Sequence, residues 1–352
     1  MPATQHQNQR VFWGGGEDRG GFKMTENTIN IGTVFSGIGA PEQAIIKLGL
    51  NYKIVFAGDI DNYCKQTYFA NYDITEEQWH TDVRVFDATP YNNKIDLFVG
   101  GSPCQSFSIM GKRQGLEEAR GTLFYEYARI VKETSPKVFI FENVTGMLNH
   151  DGGRTWTVIS SIFDSLGYCW TYWTLNAKDY GLAQNRRRIF VVGFKSCYKD
   201  LFETLISPEK VELKTFMEGY LEKEVPNKYY LPIKGFNRVI DPKHTKHVAL
   251  NSKISRCQVA CQQYNWFGDM RFETDIPQRI EKDERIYKGF YKGERGVARI
   301  LTPRECLRLM GFPNDFKIVV NDTQAYRQSG NSIAVNVIEA VIRSIVNTGI
   351  FK

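Results

Sequence analysis

Ile31-Gly32-Thr33-Val34-Phe35-Ser36-Gly37-Ile38-Gly39-Ala40-Pro41-Glu42 reads as an apolar strand that runs through a glycine turn into a helix. Glycines at such a turn let backbone approach a ligand at the helix N-terminus. The same alternation continues downstream. Strands are expected over 31–36, 53–58, 95–100 and 137–142, with helical patterns near 41–49, 61–71 and 121–134. Alternation of this kind implies an α/β fold, a parallel sheet with helices on both faces. Two more strands, 170–176 and 187–194, are separated by a stretch too short and irregular for a crossover helix. They are expected as an antiparallel pair at the sheet edge. Residues 195–298 show only short strand-like pieces and loops. Order returns at 302–310, where Thr302 suits an N-cap and Pro303 a first helical turn, and a last amphipathic helix runs from Ile333 to Val346.

Of the 352 residues, 42% are hydrophobic and 24% charged, the balance of an ordinary globular protein. No apolar run approaches the roughly 18 residues of a membrane span. Seven scattered cysteines and no secretory leader fit a reduced, cytoplasmic compartment. Residues 1–23 are Gln/Asn/Gly-rich and read as a disordered leader or tag, with Met24 a natural beginning. Cys257-x-x-x-Cys261 has no second Cys/His pair at ligand spacing, so no metal is expected. Net charge is +6, and the stretch 228–271 carries eight Lys/Arg against Asp241 and Asp269. Aromatics are interleaved there, a composition that suits a polyanion such as nucleic acid.

At the turn, position 42 is Glu where the third glycine of a dinucleotide fingerprint would fall. A cofactor with adenosine but no pyrophosphate fits better, and S-adenosylmethionine is the obvious one. Asp59 follows Gly37 by 22 positions, where nucleotide-binding folds place an acid for ribose hydroxyls. Ile60 is placed to pack on an adenine face. Asp82, beside Val83, is a second acid for the same edge, suited to an adenine amino group. A helix N-cap is the competing role for either Asp.

The strand 95–100 leads into Gly101-Ser102-Pro103-Cys104-Gln105. A thiol on that loop, behind rigid Pro103, is placed as a nucleophile, although a lone Cys is also a common buried filler. The next strand ends at Glu142-Asn143-Val144. If these strands are neighbours, Cys104 and Glu142 face one pocket, an arrangement suited to attack on an electron-poor ring whose nitrogen is protonated. A salt bridge or cap is the alternative for Glu142. Gln184, Arg186 and Arg188 would share one face of a strand. Two inward arginines would stabilise a thiolate, orient Glu142 or hold a phosphate; a basic surface strand is the alternative.

With these residues in hand, the chain resembles the DNA cytosine-5 methyltransferases of the bacterial restriction–modification and phage type. Matching blocks stand in the family's order: Phe35-Ser36-Gly37-Ile38-Gly39, Asp59, Asp82, Pro103-Cys104-Gln105, Glu142-Asn143-Val144, Gln184-x-Arg186-x-Arg188, Arg304-Glu305-Cys306 to Pro313, and Gly330-Asn331-Ser332. The resemblance implies an S-adenosylmethionine-dependent methyltransferase fold, a Rossmann-like mixed sheet with an antiparallel edge strand, plus a smaller irregular target-recognition domain. The catalytic and cofactor-binding domain would comprise 24–194 and 322–352, and the recognition domain 195–321. Cys104, Glu142, Arg186 and Arg188 carry over as catalytic. Phe35, Gly37, Ile38, Gly39, Asp59, Ile60, Asp82, Val83, Leu123, Asn331 and Ile333 carry over as cofactor neighbours. Gln105, Ser108, Lys112, Arg120, Gln184 and Arg256 are the expected DNA contacts. Double-stranded DNA is the implied substrate, acted on by a monomer in a bacterial cell or phage-infected host. A cognate restriction endonuclease is a partner the resemblance allows. Asp59 stands where many members carry Glu, a longer reach to ribose. A transfer-RNA methyltransferase of the same family would carry a Cys-Phe-Thr signature, which this sequence lacks. A non-catalytic DNA-binding relative would not need Cys104, Glu142 and both arginines, and a nicotinamide dehydrogenase leaves the later blocks unexplained.

Overall fold

The computed structural model describes residues 27–103, 122–244 and 246–352. Six strands form the first sheet: β1 (Ile29–Val34), β2 (Tyr52–Phe56), β3 (Leu97–Gly100), β4 (Val138–Val144), β5 (Tyr168–Asn176) and β6 (Arg187–Lys195), in the order β2-β1-β3-β4-β6-β5. β1 to β4 are parallel to one another. β6 runs antiparallel to both β4 and β5. The expected pair therefore occupies the edge, with reversed β6 one place in and β5 outermost. The central strands are mostly apolar because helices cover both faces. β3 is buried along its whole length.

One face packs under α1 (Ala40–Lys47), with Ile45, Ile140 and Val192 in a common core. The other packs under α3 (Leu123–Thr134) and α4 (Arg154–Ser165), around Phe98, Phe139 and Phe163. α2 (Asn62–Asn71) follows β2 and begins at an N-cap, Asp61, whose side chain accepts the Tyr63 N–H. The order reverses between β1, which pairs with β2 on one side, and β3 on the other. Ligands of open α/β sheets bind outside the strand ends at such a switch point.

Residues expected to be irregular build a second sheet, β7 (Val248–Leu250), β8 (Gly268–Glu273), β9 (Lys288–Tyr291) and β10 (Glu294–Ile300), in the order β7-β8-β10-β9. Its strands are short, and the β9–β10 hairpin turns on Lys292-Gly293, both in the left-handed region. α5 (Ile233–Ile240) packs on it through Phe236 and Val239. α6 (Pro303–Leu309) starts at the expected Thr302 cap, completed by Glu305 in a reciprocal box. α7 (Asp322–Asn331) and α8 (Val335–Asn347) close the chain. Leu307, Met310, Phe312 and Phe316 belong to the first sheet's core, with Val341 and Ile345 of α8. The return to the first sheet thus begins before the expected boundary at 322. Among the described residues, no helix is long and apolar enough to cross a membrane.

Candidate active site

The glycine turn after β1 is held in shape by the end of β2. Asp59 accepts the Gly37 N–H on one carboxylate oxygen and the Asp61 N–H on the other, both at 2.9 Å. Burial raises the Asp59 pKa, against the opposing pull of these two amides. Phe35, Gly37 and Gly39 all have positive φ. At Gly39 a Cβ would lie 2.3 Å from the Tyr72 ring, so only glycine fits. Ile38 is buried, whereas Ile60 is 68% exposed beside Asp59. An exposed branched apolar side chain next to a carboxylate and a glycine turn without side chains suits an adenosine: a ring face, ribose hydroxyls and a close chain.

Asp82 sits differently from the expectation of a free acid for adenine. Its carboxylate makes a two-pronged contact with Arg84, the shorter at 2.7 Å, which also holds its pKa down. It accepts the Arg84 N–H as well, so it caps a turn. Val83 is buried in the α3 face of the core, and Leu123 is the first residue of α3. Asn331 ends α7, and with Ile333 it lines a pocket shared by Thr33, Ser36, Gly37 and Glu142. That pocket joins the glycine turn to the chemistry end.

β3 and β4 are adjacent, with Gly100 paired to Phe141. A Cβ on Gly101 would lie 2.6 Å from the Glu142 carbonyl, so the loop leaving β3 lies directly on β4. Asn143 Nδ2 donates to the Ser102 carbonyl at 2.9 Å, fixing the backbone two residues before Cys104. Cys104 itself, with Gln105, Ser108, Lys112 and Arg120, lies outside the described residues. Glu142 Oε1 is 3.3 Å from Arg188 Nε without a directed hydrogen bond and has no other partner among the described residues. Burial raises the Glu142 pKa, with Arg188 and then Arg186 opposing.

β6 begins at Arg187, so Gln184 and Arg186 precede it. Arg186 and Arg188 still converge, both opposing the raised pKa of Glu142. Arg186 is 4% exposed and donates to the carbonyls of Gln258, Gly330 and Ser332 at 2.8, 3.1 and 2.7 Å. Burial, then Arg188, pulls its pKa to about 10, still charged at neutral pH. Gln184, an expected DNA contact, is completely buried. Its amide donates to the Leu309 carbonyl and accepts the Gln258 N–H, which leaves no face for a duplex. Arg256 is likewise turned inward, donating to the carbonyls of Lys246 and Val248. Cys257 was legible only as a doubtful metal ligand; its Sγ lies 3.5 Å from both Arg186 Nη1 and Arg188 Nη2. No cluster of three metal-ligating side chains occurs among the described residues.

A family model described as C-5 cytosine-specific DNA methylase matches residues 29–347. The chain belongs to that family. This cytosine-specific methylase is 35% identical over 323 residues to the type II methyltransferase M.SsoII of Shigella sonnei, covering 90% of this chain and 79% of the relative. It is 35% identical to M.HpaII of Haemophilus parainfluenzae, covering 89% and 88%, and 32% identical to M.HhaI of Haemophilus parahaemolyticus, covering 91% and 94%. Among solved structures, the S. pombe Dnmt2 methyltransferase superposes with a TM-score of 0.66 at 19% identity, over 91% of this chain and 98% of that one. The Entamoeba histolytica methyltransferase EhMeth superposes with a TM-score of 0.68 at 17% identity, over 92% and 99%. These likenesses establish the S-adenosylmethionine-dependent methyltransferase fold. The methylase modifies C5 of cytosine in DNA, with S-adenosylmethionine as methyl donor. The glycine turn, Asp59 and exposed Ile60 fit that donor.

Proposed function

We propose that this methylase modifies a flipped-out cytosine within one specific double-stranded sequence through a transient bond between Cys104 and ring C6. A stacked base hides the atoms concerned, and extruding it costs about a few kcal/mol. Cys104 thiolate adds to C6 while Glu142 hydrogen-bonds or protonates N3, so the electron pair passes to C5. S-adenosylmethionine, when bound, supplies an electrophilic methyl group to that carbon. Loss of the C5 proton and expulsion of the thiolate regenerate the aromatic ring. Arg188, 3.3 Å from Glu142, orients its carboxylate. Arg186 braces the pocket by tying the 258 and 330–332 segments together.

One observation carries this reading: a buried carboxylate oxygen of Glu142 without a hydrogen-bond partner lines the same pocket as the glycine turn. Buried polar atoms are rarely left unpaired, and a catalytic role is one reason that such an atom is kept. The second sheet and its flanking loops serve target recognition. Lys234, Lys243, Lys246 and Lys253 are exposed there, whereas Arg271 is buried and Lys228 is paired with Asp322 at 2.5 Å. A monomer acting on DNA in the cytoplasm, with or without a cognate restriction endonuclease, completes the proposal. Bisulfite sequencing of host DNA from cells expressing the chain tests it. One protected sequence context is the expected result; unmodified DNA from cells making folded protein contradicts it.

A further inference from the structure

The residue that breaks the glycine fingerprint, Glu42, is completely buried. One carboxylate oxygen accepts the Tyr68 hydroxyl at 2.7 Å and the Thr33 hydroxyl at 3.1 Å; the other has no hydrogen-bond partner. Thr33 has one hydroxyl proton, and Glu42 takes it. The 2.7 Å contact between Thr33 and Ser36 must then be donated by Ser36. Ser36 Oγ in turn accepts the Gly58 N–H at 2.9 Å. The bonds form a one-way chain, Gly58 to Ser36 to Thr33 to Glu42. Its far end precedes Asp59, which holds Gly37. Thr33 and Ser36 line the pocket, and Glu42 stands behind them. Tyr72, one turn from Tyr68 on α2, donates to the Ile38 and Gly39 carbonyls.

Burying a carboxylate costs stability that an apolar side chain would not, and burial raises the Glu42 pKa. The chain of bonds gives that cost a purpose. We propose that Glu42 is a positioning residue for the cofactor turn: through Thr33 and Ser36 it sets the end of β1 against the end of β2. Its effect falls on S-adenosylmethionine affinity and not on DNA binding or on the rate at saturating cofactor. The proposal rests on the cofactor assignment above.

Titration calorimetry with S-adenosylmethionine, steady-state kinetics and thermal melts on E42Q, E42L, T33V and the E42L/T33V double variant test it. E42L and T33V should each weaken cofactor affinity and raise its KM by about tenfold, the loss of one or two buried hydrogen bonds. In E42L the rate at saturation and cofactor-free duplex binding should stay within about twofold. E42Q retains an acceptor oxygen and should recover most of the affinity. Because both residues act through one chain, the double variant should be no worse than either single one. Should E42L fail to fold, T33V and E42Q decide the matter. Wild-type affinity in folded E42L or T33V, or losses that simply add in the double variant, overturns the proposal. Wild-type protein that binds no cofactor would instead refute the underlying assignment.

Discussion

The carboxyl edge of the first sheet and the outer surface of the second use polar residues in opposite ways. At the first edge they are bonded inward to backbone: Asp59 to Gly37, Asn143 to Ser102, Arg186 to Gln258, Gly330 and Ser332. Each fixes a shape, and among the atoms left without a hydrogen bond there, Glu142 Oε1 is the carboxylate oxygen that lines the pocket. On the second sheet's side, exposed lysines stand apart, with no shared partner among the described residues. A site for reacting atoms needs few groups held rigidly. A surface for a polyanion needs several charges, none indispensable. Single substitutions should therefore act strongly at the first edge and weakly at the second.

The comparison breaks most sharply at Cys104. Cys104→Ala should remove methyl transfer altogether while duplex binding by gel shift persists; residual turnover above background refutes the nucleophile. Glu142→Gln should lower the rate by about 10²–10⁴-fold, the usual share of acid–base catalysis. The same variant should be more stable than wild type at pH 8. Burial raises the folded pKa of Glu142, so the ionised form is penalised in the folded state. That penalty disappears as pH falls through the raised pKa, and the gain in melting temperature, about 1–3 °C, should disappear with it. A gain that grows toward acid pH contradicts the sign.

Arg188 and Arg186 sharpen the comparison within the first edge. Arg188→Ala should cost rate, about 10-fold or more, with a smaller loss of melting temperature than Arg186→Ala, because its main charged neighbour is Glu142. Arg186→Ala should cost several degrees of melting temperature, since it leaves three buried carbonyls without their donor. Equal melts would place both in the same role. The smallest effect belongs to the second sheet. Lys246→Ala should weaken duplex binding only about two- to fivefold and reduce the salt slope by about one, with the sequence preference intact.

The first edge was legible because its backbone demands particular residues. Glycine at position 39 has no substitute beside Tyr72, and an acid after β2 is needed by the Gly37 amide. β1 to β4 alternate with helices, and Thr302 is readable as the cap of α6. What the pattern could not show is the direction of a side chain. Gln184, Arg186 and Arg188 have strand spacing, yet the chain enters β6 only at Arg187, and Gln184 and Arg186 are buried with their side chains bonded to backbone carbonyls. Arg256 lies in a basic stretch, and its guanidinium still closes onto nearby carbonyls. Glu42 was visible as a missing glycine, but its partners Thr33 and Tyr68 are set by tertiary packing. The second sheet was visible only as short strand-like pieces, because its pairing order, β7-β8-β10-β9, is set by tertiary packing and not by a local pattern.

Incubation with a duplex carrying 5-fluorocytosine at the modified position, in the presence of S-adenosylmethionine, tests the chemistry most directly. Fluorine at C5 blocks the proton loss that releases the enzyme. The account predicts a denaturation-resistant protein–DNA adduct whose peptide map locates the bond at Cys104. Methylation-competent protein that forms no adduct, or forms one through another residue, contradicts it.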